Sequence, residues 1–231
     1  MVIQMTNFTL SPEDEVIIAE CIKKGYAAWK DDSVKDLKSR LKEHLKKRQK
    51  HFCCYCLRNM FDEFNYVIDI EHILPKHKYV DFMFTLDNLA ASCKRCNMKM
   101  KGRSVAFINP CFENNHDPFA TENYKFIHPN TDIFVDHILY ITLQEGTNIL
   151  VSYSVKNNSP KGCYSINFFK LDRLARNTND KAQGIPVEDE DYYEGNPEDD
   201  DIDDIDDIDA GNRLMDIEGI IEDLAFKNDQ I

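Results

Sequence analysis

Residues 85–102 read "TLDNLAASCKRCNMKMKG", and this stretch decides the fold. Its apolar centre predicts a short strand beside Asn88. Cys93-Lys-Arg-Cys96 presents two sulfurs from one tight turn, and a helix that begins near this pair carries Asn97, Lys99, Lys101 and Arg103. A second pair with the same gap lies upstream, in Cys53-Cys-Tyr-Cys56, 36 residues away across positions 57–92. Four thiolates at these spacings suit tetrahedral zinc, two from each knuckle. The competing readings are redox pairs or ordinary buried thiols. A thioredoxin-like site is disfavoured because two matching pairs occur without a flanking βαβ pattern. Cys54 could in principle pair with Cys56, but the two-residue gap of Cys53 and Cys56 matches the second knuckle. Cys21, Cys111 and Cys163 lack partners at ligand spacing and are expected to be small core residues.

Between the knuckles, "YVIDIEHILPK" (residues 66–76) reads as a strand that proline breaks at position 75. Strand alternation puts Asp69 and Glu71 on one face and His72 on the other. So much ionisable chemistry at the end of an apolar strand is either an acidic turn that holds a histidine or half of an active site completed further along the chain. A lone histidine such as His72 is more often structural than catalytic. His77 reads as a surface histidine. Strand, loop, strand and helix, clamped by zinc at both ends, is a ββα-metal arrangement.

Outside this core, Ser11-Pro12 with Asp14 predicts a capped helix running to about Lys30. Leu37, Leu41 and Leu45 predict a second helix, with Lys42, Lys46, Lys47, Arg48 and Lys50 largely on other faces. Those cations form either a solvated face or a phosphate-contacting one. Downstream, "DHILYITLQ", "TNILVSYSV" and "GCYSINFFKL" carry strand bias, with "QEGTN" and "KNNSPKG" as turns. They predict a small antiparallel sheet closed by a short helix over 172–177.

At 231 residues and 42% hydrophobic, the chain supports one good core and room for a small second one. The net charge of -13 would argue against a polyanionic partner if it were evenly spread. It is not: residues 1–110 sum to +5, 111–180 to -2 and 181–231 to -16. Positions 187–209 hold fourteen carboxylates and no Lys or Arg, which predicts a disordered acidic tail to about residue 210. Leu214, Ile217, Ile221 and Leu224 then return to helical spacing, making 213–227 a candidate docking helix. No apolar run reaches membrane-spanning length, and the first residues lack the layout of a secretory signal. The fold class is α+β, in four parts: N-terminal helices (1–50), zinc-stapled core (51–110), C-terminal α+β extension (111–180) and acidic tail (181–231).

Residues 50–105 resemble the HNH endonucleases, on Glu71-His72, Asn88 in "DNL" and Asn97 directly after the last cysteine. The resemblance implies a metal-dependent hydrolase of DNA phosphodiester bonds. His72 would be the general base, Glu71 and Asn97 the ligands of a catalytic Mg2+ or Mn2+, and Asn88 the residue holding the loop that bears His72. Lys94, Arg95, Lys99, Lys101 and Arg103 would contact phosphates. More loosely, residues 20–178 resemble the HNH proteins paired with an ATPase in Septu-type and retron-associated anti-phage systems. That implies a bacterial, cytoplasmic nuclease with an ABC-like ATPase partner. The alternative from another class is a zinc-stapled module that binds nucleic acid or protein and does not cut.

Overall fold

Ser11 and Pro12 start the first helix as their chemistry dictates. In a computed structural model of the protein, which describes residues 8–177, the Ser11 hydroxyl accepts from the Asp14 amide while the Asp14 carboxylate accepts from the Ser11 amide. This reciprocal cap opens α1 (Pro12–Lys24). The helix stops six residues short of the expected Lys30 because Gly25 takes φ 87°, and the chain continues as a tighter 3-10 turn over Tyr26–Lys30.

The leucine spacing in α2 (Lys35–Arg48) buries Leu37, Leu41 and Leu45, as amphipathic patterning requires. One of its cations faces inward. Arg48 donates to the Leu89 carbonyl at 2.6 Å and to Asn130 Oδ1 at 2.8 Å. Gln49, just past the helix, exchanges two hydrogen bonds with the Ala91 backbone and so satisfies an otherwise open strand edge.

The edge thus held belongs to β2 (Leu89–Cys93), which pairs antiparallel with β1 (Ile68–His72) in a register that sets Ile68 opposite Cys93 and His72 opposite Leu89. The first strand ends at His72, three residues before Pro75, and every residue of β2 is buried. Arg95–Lys101 follows as a wide π-helical segment, closed by a hydrogen bond from the Gly102 amide to the Asn97 carbonyl at 2.8 Å. Strand, loop, strand and helix therefore follow in the expected order.

After a four-residue helix, α3 (Phe134–His137), the predicted hairpin forms from β3 (Ile138–Glu145) and β4 (Asn148–Val155), turning at Gly146 with φ 58°. "GCYSINFFKL" is not a strand. It lies in α4 (Pro160–Phe169), because Ser159 caps the Gly162 amide and Pro160 occupies the first helical turn. The helix expected over 172–177 is a 3-10 turn at Asp172–Leu174 followed by β5 (Arg176–Asn177), which pairs with β4. Cys21 is buried as expected. Cys111, in a 3-10 turn over Pro110–Asn114, is exposed instead, and so is Cys163, because the inward positions of α4 are Gly162, Ser165 and Phe169.

The C-terminal elements buttress both knuckles. Tyr153 of β4 donates to the Cys56 carbonyl at 2.6 Å, and Tyr55 stacks on Phe169 with ring centroids 4.1 Å apart. The architecture is α+β, with N-terminal helices and small antiparallel sheets. Among the described residues, no helix is long and apolar enough to cross a membrane. The acidic run and the candidate docking helix at 213–227 lie outside the described residues.

Candidate active site

The two knuckles meet where β2 ends. The ligand atoms of Cys53, Cys56, Cys93 and Cys96 all lie within 4.8 Å of one another, and all four residues are buried. A tetrahedron with Zn–S bonds of about 2.3 Å has edges of about 3.8 Å. The 3.9 Å between the Cys56 and Cys93 sulfurs fits that edge. The Cys93 amide donates to the Cys53 sulfur at 3.3 Å, a contact that favours a thiolate. Cys54 stands outside the set. Donor chemistry and spacing both fit zinc, and among the described residues no other group of three or more Cys, His, Asp or Glu side chains is so arranged.

On β1, alternation separates the acidic residues from the histidine. Asp69 and Glu71 both reach toward the π-helical segment. The amide nitrogen of Asn97 donates to Asp69 Oδ2 at 2.9 Å, and Lys94 Nζ lies 2.9 Å from Asp69 Oδ1. Glu71 meets Lys101 at 2.8 Å, with both side chains 1% exposed, and accepts from the Tyr55 hydroxyl at 3.1 Å. Lys101 also donates to the His72 carbonyl at 2.8 Å, so one ammonium ties the two residues of the Glu71-His72 step to the segment that bears Asn97. Burial pushes the Glu71 carboxyl above its ordinary range, with Lys101 working against that rise.

His72 turns the other way. Its Nε2 lies 3.1 Å from the Met83 carbonyl, which can only accept, so Nε2 carries the proton and Nδ1 keeps the lone pair of the neutral ring. The Trp29 ring packs edge-on against it at 4.4 Å. Burial, reinforced by the nearby Lys76 charge, holds the imidazole well below its ordinary pKa. The ring is therefore uncharged near neutrality.

Asn88 is fully buried and spans the loop after His72. Its Oδ1 accepts from the Leu74 amide at 2.7 Å, and its Nδ2 donates to the Leu74 and Phe82 carbonyls at 3.1 and 3.0 Å. The Asn88 carbonyl accepts from the Ile73 amide at 2.9 Å.

The five cations expected at phosphates divide. Lys99 and Arg103 are exposed. Lys94 is half-buried against Asp69. Lys101 is buried in its pair with Glu71, which removes it from any surface contact. Arg95 donates to the Phe169 and Lys170 carbonyls at 3.0 and 2.8 Å, where it satisfies open groups at the end of α4. Trp29, Tyr55, the Met83 carbonyl and the pairing role of Lys101 were missed in the sequence. None has a local signal, because each acquires its place only through the tertiary approach of separate elements.

Residues 53–103 match the family model of the HNH endonucleases. Over 164 residues the chain is 26% identical to the Septu protein PtuB of Bacillus thuringiensis, an alignment that takes in 71% of this chain and 51% of that protein. The chain thus spans about half the length of the curated relative it matches. No solved structure matches it. Both likenesses agree with the resemblance carried by Glu71-His72, Asn88 and Asn97.

Proposed function

We propose that the protein is a metal-dependent HNH endonuclease that hydrolyses DNA phosphodiester bonds, and that it serves as the nuclease of an ATPase-coupled anti-phage system. The observation that carries the chemistry is the setting of His72. Its Nε2 is committed to the Met83 carbonyl and its pKa is depressed, so a neutral Nδ1 is available to accept a proton. In the proposed reaction Nδ1 takes one proton of the attacking water, the water oxygen bonds to phosphorus as the P–O3' bond breaks, and the departing 3'-oxygen takes a proton from solvent water. The products carry 5'-phosphate and 3'-hydroxyl ends.

Glu71 and Asn97 would hold the divalent ion. Asp69, which accepts from the Asn97 amide nitrogen, is a further carboxylate beside Asn97. These are oxygen donors and suit a hard cation, while the four thiolates suit zinc. Glu71 would bind by giving up the Lys101 ammonium that now neutralises it. A bound Mg2+ or Mn2+ would neutralise the charge that grows on the leaving oxygen. Asn88 would keep the loop after His72 in place through its three side-chain bonds, and Lys94, Lys99 and Arg103 would contact phosphates without choosing sequence.

The defence setting and the ABC-like ATPase partner rest on the likeness to the Septu protein and on the family resemblance. The 213–227 segment, with its apolar stripe, is proposed as the part that meets that partner. A plasmid assay tests the catalytic reading. Zinc-loaded protein, with the ATPase supplied, is expected to nick supercoiled DNA when Mg2+ or Mn2+ is added and not when both are omitted. Protein that binds the plasmid and never cuts it under any of these conditions would establish the non-catalytic module instead.

A further inference from the structure

Between the first knuckle and β1, the segment over 61–67 leaves its aromatic residues in water. Phe61, Phe64 and Tyr66 are 69%, 83% and 81% exposed, and Met98 on the π-helical segment is 64% exposed. Isolated exposed apolar groups need no explanation, but three aromatic rings within six residues do. Cations surround them. Lys42 donates to the Asn65 carbonyl, Lys46 Nζ lies 3.4 Å from Asn65 Oδ1, and Lys94 Nζ sits 4.7 Å from the centre of the Tyr66 ring. Lys94 also joins this surface to the candidate site, since it binds the Asp69 carboxylate that accepts from Asn97.

We propose that this surface, built on Phe64 and Tyr66 with Lys42, Lys46 and Lys94, binds unpaired nucleobases of the strand whose backbone the site cuts. The inference rests on the nuclease reading above and adds the substrate class. Aromatic faces interleaved with cations are how side chains hold single strands: the rings stack on bases and the cations follow the phosphates. Paired bases are already stacked within a duplex and offer no free face to a ring. Protein–protein interfaces are enriched in aromatic residues, Met and Arg but depleted of lysine, so the interleaving with lysines favours a polyanion. The neighbouring carboxylates offset these cations in number, since Glu43 pairs with Lys46, Glu63 with Arg58 and Asp69 with Lys94, so the case rests on the exposed rings, on Lys42, which has no carboxylate partner among the described residues, and on Lys94 beside the Tyr66 ring.

Binding of labelled oligonucleotides to the full chain, at fixed salt and with no Mg2+ or Mn2+ added, tests this by fluorescence anisotropy. Single strands should bind more tightly than the duplex of the same sequence. The double variant Phe64→Ala/Tyr66→Ala should weaken single-strand binding by roughly tenfold or more, given about 1–3 kcal/mol per stacked base, and leave duplex binding unchanged. Phe64→Trp should keep the affinity, and its added fluorescence should be quenched by a single strand beyond any quenching of Trp29 in the unmodified protein. DNA and RNA strands run in parallel identify which backbone the surface accepts. Equal affinity for duplex and single strand, with no effect of the double variant, would overturn the surface while leaving the nuclease reading intact. Failure of the full chain to bind any oligonucleotide would overturn it too, and the plasmid assay would then decide the nuclease reading separately.

Discussion

Lys101 shows how much depends on a single residue. Its ammonium and the Glu71 carboxylate are both 1% exposed, and the same nitrogen holds the His72 carbonyl. Removing the cation leaves a buried carboxylate whose remaining partner is the Tyr55 hydroxyl. Lys101→Met should therefore destabilise the fold by about 3–5 kcal/mol, read as a lower urea midpoint with an unchanged slope. A loss below about 1 kcal/mol would mean that water already reaches Glu71. His128 sets a second residue-scale expectation. It is fully buried, with Nδ1 accepting from the Asn130 amide and Nε2 unpartnered, and burial lowers its pKa to about 4. A depressed folded-state pKa means that stability is intact above the unfolded value of about 6.5 and is lost as pH falls toward 4. The loss attributable to this group is about 3 kcal/mol across that window. His128→Asn retains an acceptor and removes the titration, so urea midpoints at pH 7 and pH 4.5 should differ less in the variant than in the parent.

At the scale of elements, the four-cysteine cluster sits where β2 ends and the Asn97-bearing segment begins, and the zinc that it fits would fix both. Substituting Cys96 with Ser should abolish stoichiometric zinc, measured by elemental analysis, and remove protection from hydrogen exchange across β1, β2 and 95–101. Retained zinc with normal protection would exclude Cys96 from the shell. These elements were legible in the sequence because their determinants are local: paired knuckles, an apolar strand followed by Pro75, and a capped first helix. The α4 region was misread because Tyr164, Ile166 and Phe168 alternate as strand residues do. Its deciding signal was the Ser159-Pro160 start. The phosphate-contacting expectation failed at Arg95 and Lys101 for a related reason. A cation's position in sequence does not tell whether it will face water or the carbonyls and carboxylates of another element.

Over the described part of the molecule, the zinc frame and the C-terminal elements act together on the candidate site. Tyr153 holds the first knuckle, Arg95 ties the second to the end of α4, and Lys101 ties the intervening segment to Glu71 and His72. The four-cysteine cluster and the strand that bears Glu71 and His72 were therefore readable from sequence, whereas the contacts around them were not, because they come from stretches as distant as Trp29 and Phe169. The central claim is that this frame exists to present a neutral His72 to a phosphodiester. Single-turnover cleavage of supercoiled plasmid should be compared between the parent and His72→Ala, each loaded with zinc and supplied with Mn2+ and the proposed ATPase partner. The account predicts a rate at least about a hundredfold lower in the variant, the usual scale of a lost general base. Equal rates would contradict it.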